Sequence, residues 1–160
     1  MKVPLRQSPT VRRGACCFAT VALATLLAGC GGTSATKERV DIRHTISSFL
    51  SALARGAGDG CAHATPAGQQ EIVSVLGPEL QNFDIYGCAD VVYVTGAQMK
   101  PALRRVLETA TVATINLHGD TASVDWSQVR SPHGDVAAVI GTTKPIRLID
   151  SYGVWLITAL

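Results

Sequence analysis

The stretch TVATINLHGDTASVDWSQV, residues 111–129, decides the fold. Thr111–His118 is rich in β-branched side chains, Gly119-Asp120 is a tight-turn pair, and Thr121–Val129 returns with Ala122, Val124 and Trp126 alternating against polar neighbours. A period of two puts those three residues on one face, so the spacing predicts a β-hairpin with one buried side and Asp125 turned away from the core. Toward the C-terminus, Ser131-Pro132-His133-Gly134 reads as a further turn. Asp135–Ile140, Pro145–Asp150 and Val154–Ala159 read as three more strands, the last two joined by Ser151-Tyr152-Gly153.

Toward the N-terminus the period changes to that of a helix. Ile42, Ile46, Phe49, Leu50 and Leu53 form one apolar stripe, which predicts a helix over residues 37–55, ended by Gly56-Ala57-Gly58-Asp59-Gly60. Its polar face, with Glu38, Asp41 and Arg43, is not cationic enough for a membrane-surface helix. Thr65-Pro66 has the form of an N-cap followed by proline at the first helical position, opening a helix to Leu76 that buries Ile72, Val73 and Leu76 and stops at Gly77-Pro78. Residues 78–108 leave alternatives open: Ala89–Val94 fits a helix turn or a strand, and Lys100–Leu107 fits a short helix with Leu103 and Leu107 inward. Helices first and an antiparallel meander after them predict an α+β domain, with N-terminal helices packed on one face of the sheet.

Lys2, Arg6, Arg12 and Arg13 precede an uncharged run, Gly14–Ala28, which has the three-part layout of an export signal. Fifteen or so residues at ~1.5 Å each fall short of a ~30 Å hydrocarbon core, so a permanent span is not expected. The junction Leu27-Ala28-Gly29-Cys30 resembles the bacterial lipobox, which implies lipid on Cys30 and cleavage before it. The expected organisation is a signal peptide over 1–29, lipidated Cys30 with a flexible tether over 30–37, and one exported domain over 38–160. The membrane would then be a partner through the anchor, with the domain on its outer face. Arg12-Arg13 raises twin-arginine export, but Val11 stands where that signal usually carries Ser or Thr, and a general basic region accounts for the pair.

Without those four cations, the fourteen basic residues fall to ten against twelve acidic ones, a net of −2. With the bases scattered, that balance removes the main electrostatic argument for a nucleic-acid partner, and none is expected. Of five cysteines, Cys16 and Cys17 lie in the signal and Cys30 takes the lipid. Cys61 and Cys88 remain, and an even pair in an exported domain predicts a disulfide. A metal reading from Cys61, His63 and Cys88 lacks any close ligand pair, so no metal is expected. The sequence has no P-loop, dinucleotide fingerprint, HExxH or nucleophile elbow, and no cofactor is expected.

The succession Gly58-Asp59-Gly60-Cys61, Thr65-Pro66-Ala67, Gly119-Asp120-Thr121-Ala122 and Gly153-Val154-Trp155 resembles the nuclear-transport-factor-2-like superfamily over residues 38–160. Within that superfamily it resembles the SnoaL-like exported lipoproteins common in high-GC Gram-positive bacteria. The resemblance implies a cone, a strongly curved antiparallel sheet closed by helices around a pocket, and relatives that often pair as homodimers through the outer sheet face. Such cones host isomerases, cyclases and non-catalytic modules alike, so the fold does not decide the function. The isomerases need a carboxylate base facing a tyrosine and a protonated aspartate in an apolar site, and these roles fall on no matching positions here. Tyr86, Tyr93 and Trp126 are the candidates for lining a pocket, with Asp84, His118 and Asp125 as weaker candidates for proton transfer. The expected function is a non-catalytic binding or assembly module that takes a protein partner or an apolar small molecule. The alternative is a small isomerase- or cyclase-like enzyme acting on an apolar ligand in the cone.

Overall fold

The computed structural model describes residues 31–160; the expected signal peptide and Cys30 lie outside the described residues. Helix α1, Gly31–Arg55, carries the predicted stripe, and Ile42, Ile46, Phe49, Leu50 and Leu53 are each at most 1% exposed. The helix also runs through residues 31–36, expected as a flexible tether. The Ser34 hydroxyl donates to Glu38 Oε1 one turn on at 2.7 Å, and once the packed part of α1 has nucleated, adding turns to its end is cheap. Its polar face docks rather than being left to solvent. Arg39 Nη1 donates to the Ile115 carbonyl at 2.6 Å, Arg43 Nε to that of Val112 at 3.1 Å, and the Thr45 hydroxyl to that of Trp155 at 3.0 Å. The helix ends as expected at Gly56, whose φ of 67° lets Gly56 N–H and Ala57 N–H bond back to the carbonyls of Leu53 and Ala52.

After a 3₁₀ segment, Gly58–His63, helix α2 occupies Pro66–Leu76 as predicted, with the Thr65 hydroxyl accepting the Gly68 N–H at 3.1 Å. Gly77-Pro78 changes the winding instead of stopping it: Gly77 is right-handed and a 3₁₀ turn, Gly77–Leu80, follows. The ambiguous middle is helical, with α3 at Cys88–Gln98 and α4 at Pro101–Glu108. Leu107 is buried in α4 but Leu103, expected inward on the same face, is 40% exposed because it hangs over a cleft.

The expected hairpin is present and bent. Strand β1 (Thr111–Val112) pairs with β4 (Val129–Ser131), whereas β2 (Asn116–His118) pairs with β3 (Thr121–Val124) in a different sheet. Between the two ladders, residues 113–115 face residues 124–128, and the longer arm takes up its excess in a 3₁₀ turn at Trp126–Gln128. Such an imbalance bends and twists a ladder, which is why one predicted hairpin serves two sheets. Gly134–Asp135 forms β5, but Val136–Ile140, expected as strand, is the short helix α5. Local capping outweighed the β-branched composition: Asp135 Oδ1 accepts the Ala137 N–H at 2.9 Å and Gly141 ends the helix at φ 80°. Strands β6 (Ile146–Ser151) and β7 (Val154–Ala159) fall where predicted.

Among the described residues the sheets have the orders β1-β4-β5 and β2-β3-β6-β7, antiparallel throughout. The inner face of the larger sheet contributes Ala122, Val124, Ile146, Leu148, Trp155 and Ile157 to a core shared with α1, α2 and α3. The free side of β7 is covered where Thr65 N–H donates to the Ile157 carbonyl at 2.9 Å. No described helix is long and apolar enough to cross a membrane.

Candidate functional site

Cys61 and Cys88 are joined, as the cysteine count predicted. The bridge ties the 3₁₀ segment before α2 to the first residue of α3, and beside it lies an open groove of about 450 Å³. Pro66, Gln69, Gln70 and Val73 of α2 form one wall, and Ile85, Tyr86, Gly87 and Cys88 the other. The wall geometry is fixed by polar bonds. Gln69 Nε2 donates to the Cys61 carbonyl at 2.9 Å, and Asp90 Oδ2 accepts the Tyr86 N–H at 3.0 Å. The Tyr86 ring is 89% exposed at the rim, and Phe83, three residues earlier, is 45% exposed. An exposed aromatic ring at the rim of a groove with apolar and amide walls, with a second exposed ring three residues earlier in the chain, is the kind of surface that marks interaction sites.

The other two expected pocket residues do not join this groove. Tyr93 lies on α3 and is largely exposed, while Trp126 is buried in the core with its Nε1 lacking an acceptor. Trp126 is buried as expected, but on the 3₁₀ turn rather than on the predicted strand, and its surroundings are packed. Phe49, Leu148, Ile157 and Leu160 fill the space under the sheet. Thr45 is the one buried polar residue among those described, and its hydroxyl is bonded to Trp155. Asp84, His118 and Asp125 are exposed.

The sequence reading missed Gln69, Gln70 and Phe83. The only signal for Phe83 was an aromatic residue in a segment, Gln81–Gly87, without periodicity. It also missed a polar cleft of about 480 Å³ between α1, the 3₁₀ segment and α4, where His44, Ser51, Arg55, Asp59, His63 and Glu108 meet. Burial pushes the His63 imidazole below its ordinary pKa, repulsion from His44 adds to this, and Asp59 opposes it. Among the described residues no cluster of three His, Cys, Asp or Glu is placed to hold a metal ion. No protein-family model, curated protein or solved structure matches this chain.

Proposed function

We propose that this chain is a lipid-anchored, extracytoplasmic binding module of nuclear-transport-factor-2-like type, which holds a protein partner against the aromatic rim around Tyr86. The observation that carries the reading is the contrast between the two faces of the molecule. The interior under the sheet is filled with apolar side chains, and all three tyrosines, Tyr86, Tyr93 and Tyr152, lie on the surface. General acid–base chemistry under the sheet would need a proton donor or acceptor within hydrogen-bond reach of a substrate bound there. Recognition needs only a shaped surface with a few aromatic anchors. The Cys61–Cys88 bridge supports the exported location, since such bridges persist in oxidising compartments.

The test is photo-crosslinking in cells that export the full chain, with the reactive residue placed at position 86 and, as a control, at the exposed Asp120. A discrete adduct from position 86, absent from position 120 and lost on Phe83→Ser, is the expected result. Equal labelling from both positions overturns the assignment of this surface.

A further inference from the structure

The 3₁₀ segment Gly58–His63 borders the polar cleft through Asp59 and His63, and it is also tied to the Tyr86 groove. One tie is covalent, because Cys61 is bridged to Cys88 in the groove wall. The other runs through Gln69, itself a wall residue. Its Nε2 donates to the Cys61 carbonyl at 2.9 Å and to the Ala64 carbonyl at 3.4 Å. The Ala64 N–H donates to the same Cys61 carbonyl at 3.1 Å, which closes a turn over residues 61–64. His63 is in that turn, between the two carbonyls that hold Gln69. A backbone shift at His63 therefore disturbs the bonds that fix one side of the groove.

On the cleft side His63 is faced by His44 and Arg55 of α1, by Glu108 of α4 and by Asp59 of its own segment. Asp59 and Glu108 favour a proton on the imidazole, whereas a charged His44 and Arg55 oppose it, and so does the half-buried position of His63. Burial is the largest influence and His44 adds to it, so the imidazole sits below its ordinary pKa against the pull of Asp59. Acid thus charges a side chain that its packed position disfavours, and turning His63 out into water relieves the cost.

We propose that the turn over residues 61–64 is a pH-sensitive latch: protonation of His63 opens it, frees the Gln69 amide and so releases a partner from the Tyr86 groove. Paired histidines that charge together in mild acid are a recurrent trigger of this kind. The sign follows from the packing. The latch is closed above the ordinary imidazole value of about 6.5 and opens as the pH falls through the lower folded value. Release of a partner rests on the Tyr86 groove being a binding surface; the movement of Gln69 does not.

The full chain carrying Cys30→Ala, labelled with ¹⁵N and ¹³C, is titrated by NMR from about pH 7.5 to about pH 5, across the imidazole range. The Gln69 side-chain amide should leave its bonded position with the same midpoint as the His63 ring, and His63→Gln should abolish the movement. Two variants that keep His63 should shift the midpoint in opposite directions: His44→Gln upward, by removing repulsion, and Asp59→Asn downward, by removing attraction. A Gln69 amide that stays still, that follows the His44 ring instead, or that still moves in His63→Gln overturns the latch. Photo-crosslinking from position 86 at the two ends of the titration separates the latch from the surface it serves. The adduct should be lost in acid and kept in His63→Gln. An adduct that forms equally at both ends overturns the latch and leaves the binding surface standing. A Gln69 amide that titrates as expected, with no adduct from position 86 at any pH, overturns the binding surface and with it the release of a partner.

Discussion

A Cβ placed on Gly68 would stand 2.1 Å from the carbonyl oxygen of Ile157, and that same oxygen accepts the N–H of Thr65 at 2.9 Å. The first turn of α2 therefore lies directly on the backbone of β7, and the hydrogen bond that closes the free side of the sheet depends on a residue without a side chain. The obstacle is backbone, which cannot swing aside. Gly68→Ala should force α2 off β7 and cost about 3 kcal/mol, the upper end for overpacking. Urea unfolding at unchanged m-value checks it, with Gly87→Ala as the comparison. A Cβ at Gly87 meets nothing within 4 Å, so that variant should be neutral or slightly stabilising. Equal midpoints for the two variants would refute the account of Gly68.

The Cys61–Cys88 bridge closes a loop with a sequence separation of 27 residues. On chain-entropy grounds its loss costs ~3–4 kcal/mol, a large share of the ~5–15 kcal/mol that holds a typical domain. Cys61→Ser should lower Tm by roughly 10 °C or more. Because the bridge also positions the start of α3, the Tyr86 loop should loosen, visible as faster amide exchange at Tyr86, whose N–H is held by Asp90. A reductant should shift the wild-type Tm toward that of Cys61→Ser and leave the variant unmoved.

Much of this architecture was legible because it is local. The α1 stripe, the Thr65-Pro66 start of α2 and the β6–β7 hairpin each declare themselves within a dozen residues, and each falls where the pattern put it. Val136–Ile140 was misread because a short β-branched run is ambiguous until its ends are considered: Asp135 and Gly141 are cap residues at helix spacing, and they decided the outcome. The split of one hairpin between two sheets depends on unequal arm lengths between Val112 and Val129, which no periodicity exposes. The candidate site was half visible. Tyr86 and the cysteine pair stood out by residue type, but the wall provided by Gln69 and Gln70 exists only because the fold brings α2 beside residues 85–88, next to the bridge.

His63 gives stability a pH dependence of definite sign. Its folded-state pKa is below the ordinary imidazole value, chiefly through burial, then through His44, against the pull of Asp59. The unfolded chain therefore binds the proton more readily than the folded one. This contribution is fully present above the unfolded pKa of about 6.5 and is lost as the pH falls through the lower folded value. Unfolding midpoints should decline between pH 7 and pH 5, and His63→Gln should flatten that slope. His44→Gln should flatten it in part, by removing the repulsion while leaving the burial. An unchanged slope in His63→Gln would assign the pH dependence to other groups.

On the proposed reading, lipid on Cys30 holds the molecule at its membrane. The uncharged run Gly14–Ala28 is too short to span, and no described helix is long and apolar enough to cross. Buried methylenes contribute ~0.8 kcal/mol each; one acyl chain anchors marginally, whereas a diacylated cysteine meets the requirement for two signals. The wild-type chain should therefore partition into the detergent phase of a cloud-point extraction and remain with membranes in high salt. Cys30→Ala should accumulate as uncleaved precursor or appear in the aqueous phase, with the Cys61–Cys88 bridge intact in any exported fraction. Because α1 already includes Gly31, the residue next to the anchor position, the domain should also be held close to the bilayer. A protease-cleavage site inserted between Gly31 and Thr36 should then be cut slowly on intact spheroplasts and quickly after detergent. Palmitate label on the Cys30→Ala protein, or detergent partitioning that survives the substitution, would mean that the anchor lies elsewhere.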